Sequence, residues 1–483
     1  MSGNIAAVTN FLDISTCRML HSTGKETKGR GGRGDLRRSI VISFLAGCQE
    51  EELEILLDLV TDPFTPILNR DYASTLDLSK ALPPKRILGI LSTVVVIMDK
   101  LCHLLTSHLS RVFHLLVSVL RYCVCLLDGR RADINFKSVN SMKAARQTAI
   151  KCLTQFMETN SDFSYSETQI TELFEVAVWP QLPRLTVEGA SAPTPLLSLI
   201  KTWTHYRRYL PLLLKLTSAT SADTPLAGVM KLLAAPLCKP TVGSLIMEMV
   251  ENILDFNSSI TGEPVTMEVD DRVTLPAGTL AAVDDSVGSY EVAMLTPYLF
   301  TIITYIKDRV SKAALKATNQ KAFPMRELNI LSVCSQYVEA PALCTALLTQ
   351  LLPFLTGGTS RLSPEKQCGI LQTLGNLAKK SDDIDGQLCK LLPLCSSLTQ
   401  RIVRMELVKL FLSLRDLSAA CKEVADFVEE VNAFDRSRIE EPDYDSRLGA
   451  FREIVWWDYG KCPLPLVLAM VHNCAYTLRH VSN

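Results

Sequence analysis

The chain has 483 residues, enough for roughly three ordinary domains or for one elongated array whose core grows with length. Hydrophobic residues make up 47% and charged residues 21%, and 50 Lys and Arg face 51 Asp and Glu. That balance excludes a chain that is disordered throughout or basic overall, so any nucleic-acid contact must be local.

Residues 1–38 are poorly patterned, and HSTGKETKGRGGRGDLRR reads as a flexible, basic, glycine-rich linker. A short arginine-glycine segment can also stack on RNA and pair with its phosphates. Order is expected from Ser39. Leu53, Leu56, Leu57 and Val60 then form one apolar stripe behind Glu50, Glu51 and Glu52, which suit the positive end of a helix, and Pro63 ends it. After Pro83-Pro84 come two very apolar segments, about 85–104 and 108–127. Helices apolar on most of their surface are covered on several sides, as inner helices of a stacked array are. Asp99, Lys100, Arg111 and Arg121 cut this region below the roughly 20 uncharged residues of a bilayer span, so no membrane is expected. Nor does a secretory signal open the chain.

Asp128-Gly129-Arg130-Arg131 makes a turn, and the next helix, about 135–158, carries Lys137, Lys143, Arg146 and Lys151 before its first acid, Glu158. Ser166 and Gln169 then form a capping box. Ile170, Leu173, Phe174, Ala177 and Val178 supply the stripe, and Pro180 stops it. Thr194-Pro195, Thr224-Pro225 and Ser363-Pro364 repeat one start signal, a capping hydroxyl with proline at the first helical position. Between them, residues 261–290 lose helical period in a run rich in acids, read as an acidic irregular insert or a short strand pair around Val269 to Leu275. From 291 to the end helical stripes return, as in Ile370, Leu371, Leu374, Leu377 and Ala378, with breakers about twenty residues apart. Helix pairs of about forty residues are the signature of HEAT or armadillo arrays. The expected fold is therefore all-α, an α-α superhelix. It has a basic N-terminal segment (1–38), a first solenoid part (39–260), the insert (261–290) and a second solenoid part (291–483).

Catalytic chemistry has no signature here. Gly24-Lys25 lacks the rest of a phosphate loop, and neither GxSxG nor GxGxxG occurs. The fifteen cysteines include one close pair, Cys123-x-Cys125, without CxxC, HxxxH or HExxH, so they read as buried thiols in a reducing compartment. No enzyme activity, metal, cofactor or small-molecule substrate is expected. What remains is surface. From Leu101 to Leu216, thirteen Lys and Arg face eight Asp and Glu. The candidates for RNA contact are Arg130, Arg131, Lys143, Arg146, Arg207 and Arg208. The last two are flanked by Trp203, Tyr206 and Tyr209, aromatics that suit either base stacking or a core, with core the better reading. Arg207→Glu together with Arg208→Glu is expected to weaken RNA contact and leave stability almost unchanged.

The wording of several stretches adds a resemblance. Ala177-Val178-Trp179-Pro180-Gln181, Arg184-Leu185, Ala192 to Leu197, Trp203 and Arg208-Tyr209-Leu210-Pro211-Leu212-Leu213 resemble the Down-regulated-in-metastasis family. So, in the family's order, do SIVISFLAGCQEEELEILLDLV, NAFDRSRIEEPDYDSRLGAF and VHNCAYTL, taking the likeness from Ser39 to His472. The resemblance implies a nuclear, nucleolar HEAT-type scaffold of the small-subunit processome, the particle that matures small-subunit rRNA around a guide small nucleolar RNA. It implies processome proteins, the snoRNP and pre-ribosomal RNA as partners, and no catalytic role. Family members are several times longer, which implies that this chain is an internal piece. A HEAT protein of another class, a protein-protein scaffold or a nuclear transport receptor without RNA contact, shares the fold and stands as the alternative.

Overall fold

A computed structural model describes residues 53–55, 57–58, 82–101, 104–129, 131, 135–216, 223–258, 290–315, 325–356, 362–434, 441–452 and 462–481. The N-terminal segment, and the acidic insert apart from Tyr290, lie outside the described residues, as do Glu50 to Glu52, Pro63 and Arg130. Among the described residues no strand forms, and an isolated antiparallel bridge joins Phe434 to Pro442. The fold is an all-α helical-repeat array. The chain divides into two compact units, Met1–Ile246 with Val265–Ala282 and Met247–Pro264 with Val283–Asn483, the division falling within one helix, Pro240–Ser258.

The longer helices of the first unit are α1 (Pro84–Lys100), α2 (Leu109–Val124), α3 (Phe136–Thr159), α4 (Pro195–Trp203) and α5 (Pro225–Leu233), with α6 (Pro240–Ser258) crossing the division. Helix α3 is the hub: α1, α2 and α4 all pack on it. Its apolar side, Ala145, Ala149, Ile150, Leu153, Phe156 and Met157, is buried, and Phe156 meets Phe113 of α2 with ring centroids 5.8 Å apart. The expected capping box is present before the short helix Glu167–Leu173, with Gln169 N donating to Ser166 Oγ at 3.2 Å and Ser166 N to Gln169 Oε1 at 2.9 Å. Thr194 and Thr224 cap α4 and α5 through bonds from Leu197 N and Ala227 N, each followed by proline at the first helical position. These signals are legible because the partners lie within three residues of each other.

Two sequence expectations need correction. The region around α2, counted from Thr106 to Gly129, is long and apolar enough by composition to cross a bilayer. Protein covers it instead. Most of the helix is buried, Arg121 pairs with Glu172 at 3.5 Å, and Arg111 pairs with Asp58. The second correction is at Ser363, which makes no capping bond although the helix starts at Pro364 as expected.

The second unit holds α7 (Leu299–Leu315), α8 (Met325–Cys334), α9 (Pro341–Leu351), α10 (Pro364–Ala378), α11 (Ile384–Leu391), α12 (Arg401–Leu414), α13 (Ala419–Val431), α14 (Tyr444–Arg452) and α15 (Leu464–Val481). Helices α8, α10 and α12 stack in one row and begin about forty residues apart, while α7 packs on α9 beside them. Ile370, Leu371, Leu374, Leu377 and Ala378 are all buried, as their helical stripe requires. Near its end the unit is tied by Arg404, a buried residue of α12. Its guanidinium donates to the carbonyls of Cys395 (2.8 Å) and Leu398 (2.9 Å) and to the side-chain oxygens of Asn432 (2.7 Å) and Asn473 (3.1 Å). It also lies 3.6 Å from the Tyr476 ring centroid. Burial pulls this guanidinium below its ordinary pKa, so the fixed fork of donors must offset a desolvation cost. One side chain thus links α12, the end of α13 and α15.

Arg404→Ala orphans four buried acceptors and should cost on the order of 3 kcal/mol or more in chemical denaturation of the whole chain. Arg404→Lys, a point charge without the fork, should recover less than half of that loss. A loss below about 1 kcal/mol for the alanine variant would contradict this role.

Candidate nucleic-acid interface

The basic-aromatic cluster sits on a 3-10 turn, Arg207–Tyr209, that follows α4 and faces the end of α3. A helix C-terminus leaves carbonyls unpaired and carries partial negative charge, so donors and cations are stabilising there. Tyr206 Oη donates to Glu158 O at 3.1 Å and Tyr209 Oη to Ser161 O at 3.3 Å. The Arg208 guanidinium donates to Ser161 O (2.6 Å) and Phe163 O (3.2 Å) and lies 5.7 Å from the Tyr209 ring. Tyr209 is fully buried, and its ring stands 6.0 Å from Tyr165 in an edge contact. Desolvation raises both phenol pKa values, so the two hydroxyls stay protonated at neutral pH. Trp203 is also fully buried, stacked on Phe174 at 5.6 Å with its indole N–H 3.3 Å from Met157 Sδ. Trp179 is half-buried and meets Phe174 in an edge contact at 5.8 Å.

This geometry corrects the expectation for Arg208. Its donors hold carbonyls of the turn that follows α3, so the side chain is a positioning group rather than one held out to a phosphate. Arg207 is half-buried on the same turn. Arg146 is 5% exposed on α3, and its burial likewise removes it from phosphate contact. Arg131 and Lys143 are exposed, and Arg130 lies outside the described residues. The six candidates therefore do not converge. Lys143 instead shares the solvent face of α3 with Asn140, Ala144, Gln147 and Lys151. The eight-residue spacing from Lys143 to Lys151, about two helical turns, could have shown that pairing in the sequence.

Elsewhere, no group of three or more His, Cys, Asp and Glu is placed to hold a metal among the described residues. Burial pushes the thiols of Cys123, Cys152 and Cys334 up to about 12, far from the thiolate a nucleophile or ligand needs. A groove along α8, α10 and α12 is lined by Gln336, Gln372, Asn376, Lys379 and Lys409. Asn376 is bonded to Ser332 and Ser335, and Lys409 pairs with Glu406 at 3.0 Å. These bonds make it a polar seam between stacked helices.

Against known proteins, residues 12–482 match the sequence model of one family, "U3 small nucleolar RNA-associated protein 20, N-terminal". The chain belongs to this family. A member from Schizosaccharomyces pombe, U3 small nucleolar RNA-associated protein 20, is 23% identical over 458 residues. The alignment takes in 88% of the present chain and 16% of the fission yeast protein, so the chain spans about a sixth of that relative's length. The family match includes α3, the turn that closes it and the α8, α10, α12 row.

Arg208→Ala should lower stability by about 1.5–3 kcal/mol, the range for hydrogen bonds to a charged group, whereas exposed Arg131→Ala should stay within about 0.5 kcal/mol of the parent. Thermal melts of the two variants check this. Equal, negligible losses would show that Arg208 does not hold the turn that follows α3.

Proposed function

We propose that this chain is part of a non-catalytic scaffold in ribosome biogenesis, a component of the small-subunit processome that supports pre-rRNA processing and small-subunit rRNA maturation in the nucleolus. The observation that carries this reading is the family match across residues 12–482, to a family whose description names the U3 small nucleolar RNA. The motifs from Ser39 to His472 support the finer identification with the Down-regulated-in-metastasis family. An array of stacked helices suits such work: its surface grows with length, and separate faces are available to proteins and RNA. Its partners are processome proteins, the snoRNP and pre-ribosomal RNA. The role requires no cofactor and no chemistry at a single residue.

The alternative, a protein-protein scaffold without RNA contact, draws on one observation: Arg146 and Arg208, two of the candidates for phosphate contact, face inward. The two readings part in one experiment. A tagged full-length version, purified from cells and followed by RNA sequencing, should bring down pre-rRNA and the guide small nucleolar RNA. Recovery of protein partners that survives nuclease treatment, with neither RNA enriched, would replace the proposal with the alternative.

A further inference from the structure

We infer that the solvent face shared by α1 and α3 is a docking surface for the sugar-phosphate backbone of RNA, with Lys85, Arg86, Lys100, Lys143 and Lys151 as its cations. The inference rests on the reading of this protein as an RNA-associated scaffold, which supplies RNA as the polyanion.

Helices α1 and α3 lie side by side in the first unit. Cys152 Sγ approaches Leu91 O at 4.0 Å, and Gln155 Nε2 hydrogen-bonds Asp99. These two pairs follow the same order along both helices, so the two run parallel. On α3 the exposed positions Asn140, Lys143, Gln147 and Lys151 fall on one face, and on α1 Lys85, Ser92, Asp99 and Lys100 do the same, with Arg86 at the edge. Gln155 and Asp99 join the rims of these faces, which places them next to each other. The two pairs also set the start of α1, with Lys85 and Arg86 in its first turn, alongside the part of α3 that carries Lys143, two turns from that helix's own start.

Charge on this face is mostly positive, five cations against Asp99. None of the five cations forms an ion pair with an acid among the described residues. The nearby acids are at the C-terminal ends and already engaged, Asp99 with Gln155 and Glu158 with Thr202 at 2.8 Å. Lys143 and Lys151 stand about 12 Å apart along α3, and the rows on the two helices are about 8–10 Å apart. Cations on such a grid can follow a strand of phosphates. They offer no planar, bidentate reader of base edges, so binding should be independent of sequence and steeply dependent on salt. An acidic protein surface would require large apolar anchors at the centre of the face, and the exposed positions here are lysine, arginine, asparagine, serine, glutamine, Asp99 and the small Ala144.

The test is salt-dependent binding of the whole chain to mixed-sequence single-stranded RNA. Lys143→Gln with Lys151→Gln should weaken binding at least about tenfold at low salt and flatten the slope of log K against log salt by about one per lysine removed. Gln147→Lys, which adds a cation between them, should strengthen binding and steepen the slope by about one. Both variants change exposed side chains and should melt with the parent. Unchanged affinity and slope in both would overturn the inference, and so would loss of a co-purifying protein with RNA binding intact. If the face binds RNA in this assay but the full-length protein enriches no pre-rRNA from cells, the docking surface stands and the processome reading fails. If pre-rRNA is enriched regardless of both variants, the processome reading stands and this face is not where RNA docks.

Discussion

A helix in an open array has no closed core to retreat into; it is held by the helices beside it. In the first unit that constraint falls on α3. Its buried side carries alanine, isoleucine, leucine and phenylalanine against α1, α2 and α4, and its final turns would leave carbonyls unpaired if nothing closed them. Tyr206 supplies a donor to Glu158 in its last turn, and Arg208 and Tyr209 supply donors to Ser161 and Phe163 in the turn that follows, from 45 to 48 residues away. The unit thus depends on one helix whose side is covered by apolar packing and whose end is covered by a cationic, aromatic turn.

The same arrangement divides the basic residues into two groups. Arg146 and Arg208 face inward; Lys143, Lys151, Lys85, Arg86 and Lys100 face water. The second unit repeats the division with Arg404, whose five-donor fork joins α12, the end of α13 and α15. In Arg208 and Arg404 the planar fork satisfies several oxygens at once, whereas the exposed lysines are hydrated point charges. An array built this way holds internal and exposed cations without needing an overall positive charge.

Local grammar was legible in the sequence. The Ser166–Gln169 box, the Thr194 and Thr224 caps and the buried stripe of α10 all depend on partners within a turn or two. Ser363 failed as a cap because the same dipeptide can start a helix through proline's fixed φ alone. Two caps went unread, Ser418 and Asp383, which accept from Cys421 N and Gly386 N. The position of Arg208 was not readable, since a guanidinium between tyrosines suits a base stack or a backbone anchor equally well and the deciding carbonyls are in a distant turn, after α3. The face shared by α1 and α3 was hidden for the same reason: its cations come from two segments separated in the chain by α2. A small-subunit processome component family was readable from wording, and the motif residues between Ala177 and Leu213 fold into cores and turns rather than into a site.

The central claim is that this array contacts RNA through an external lysine face while its buried arginines hold the helices together. Ultraviolet crosslinking of the full-length protein within the assembled particle, with crosslinked peptides mapped by mass spectrometry, tests it most directly. The account predicts crosslinks at or beside Lys143 and Lys151 on α3 and Lys85 or Lys100 on α1, and none at Arg146 or Arg208. Crosslinks confined to the second unit, or centred on Arg208, would contradict it.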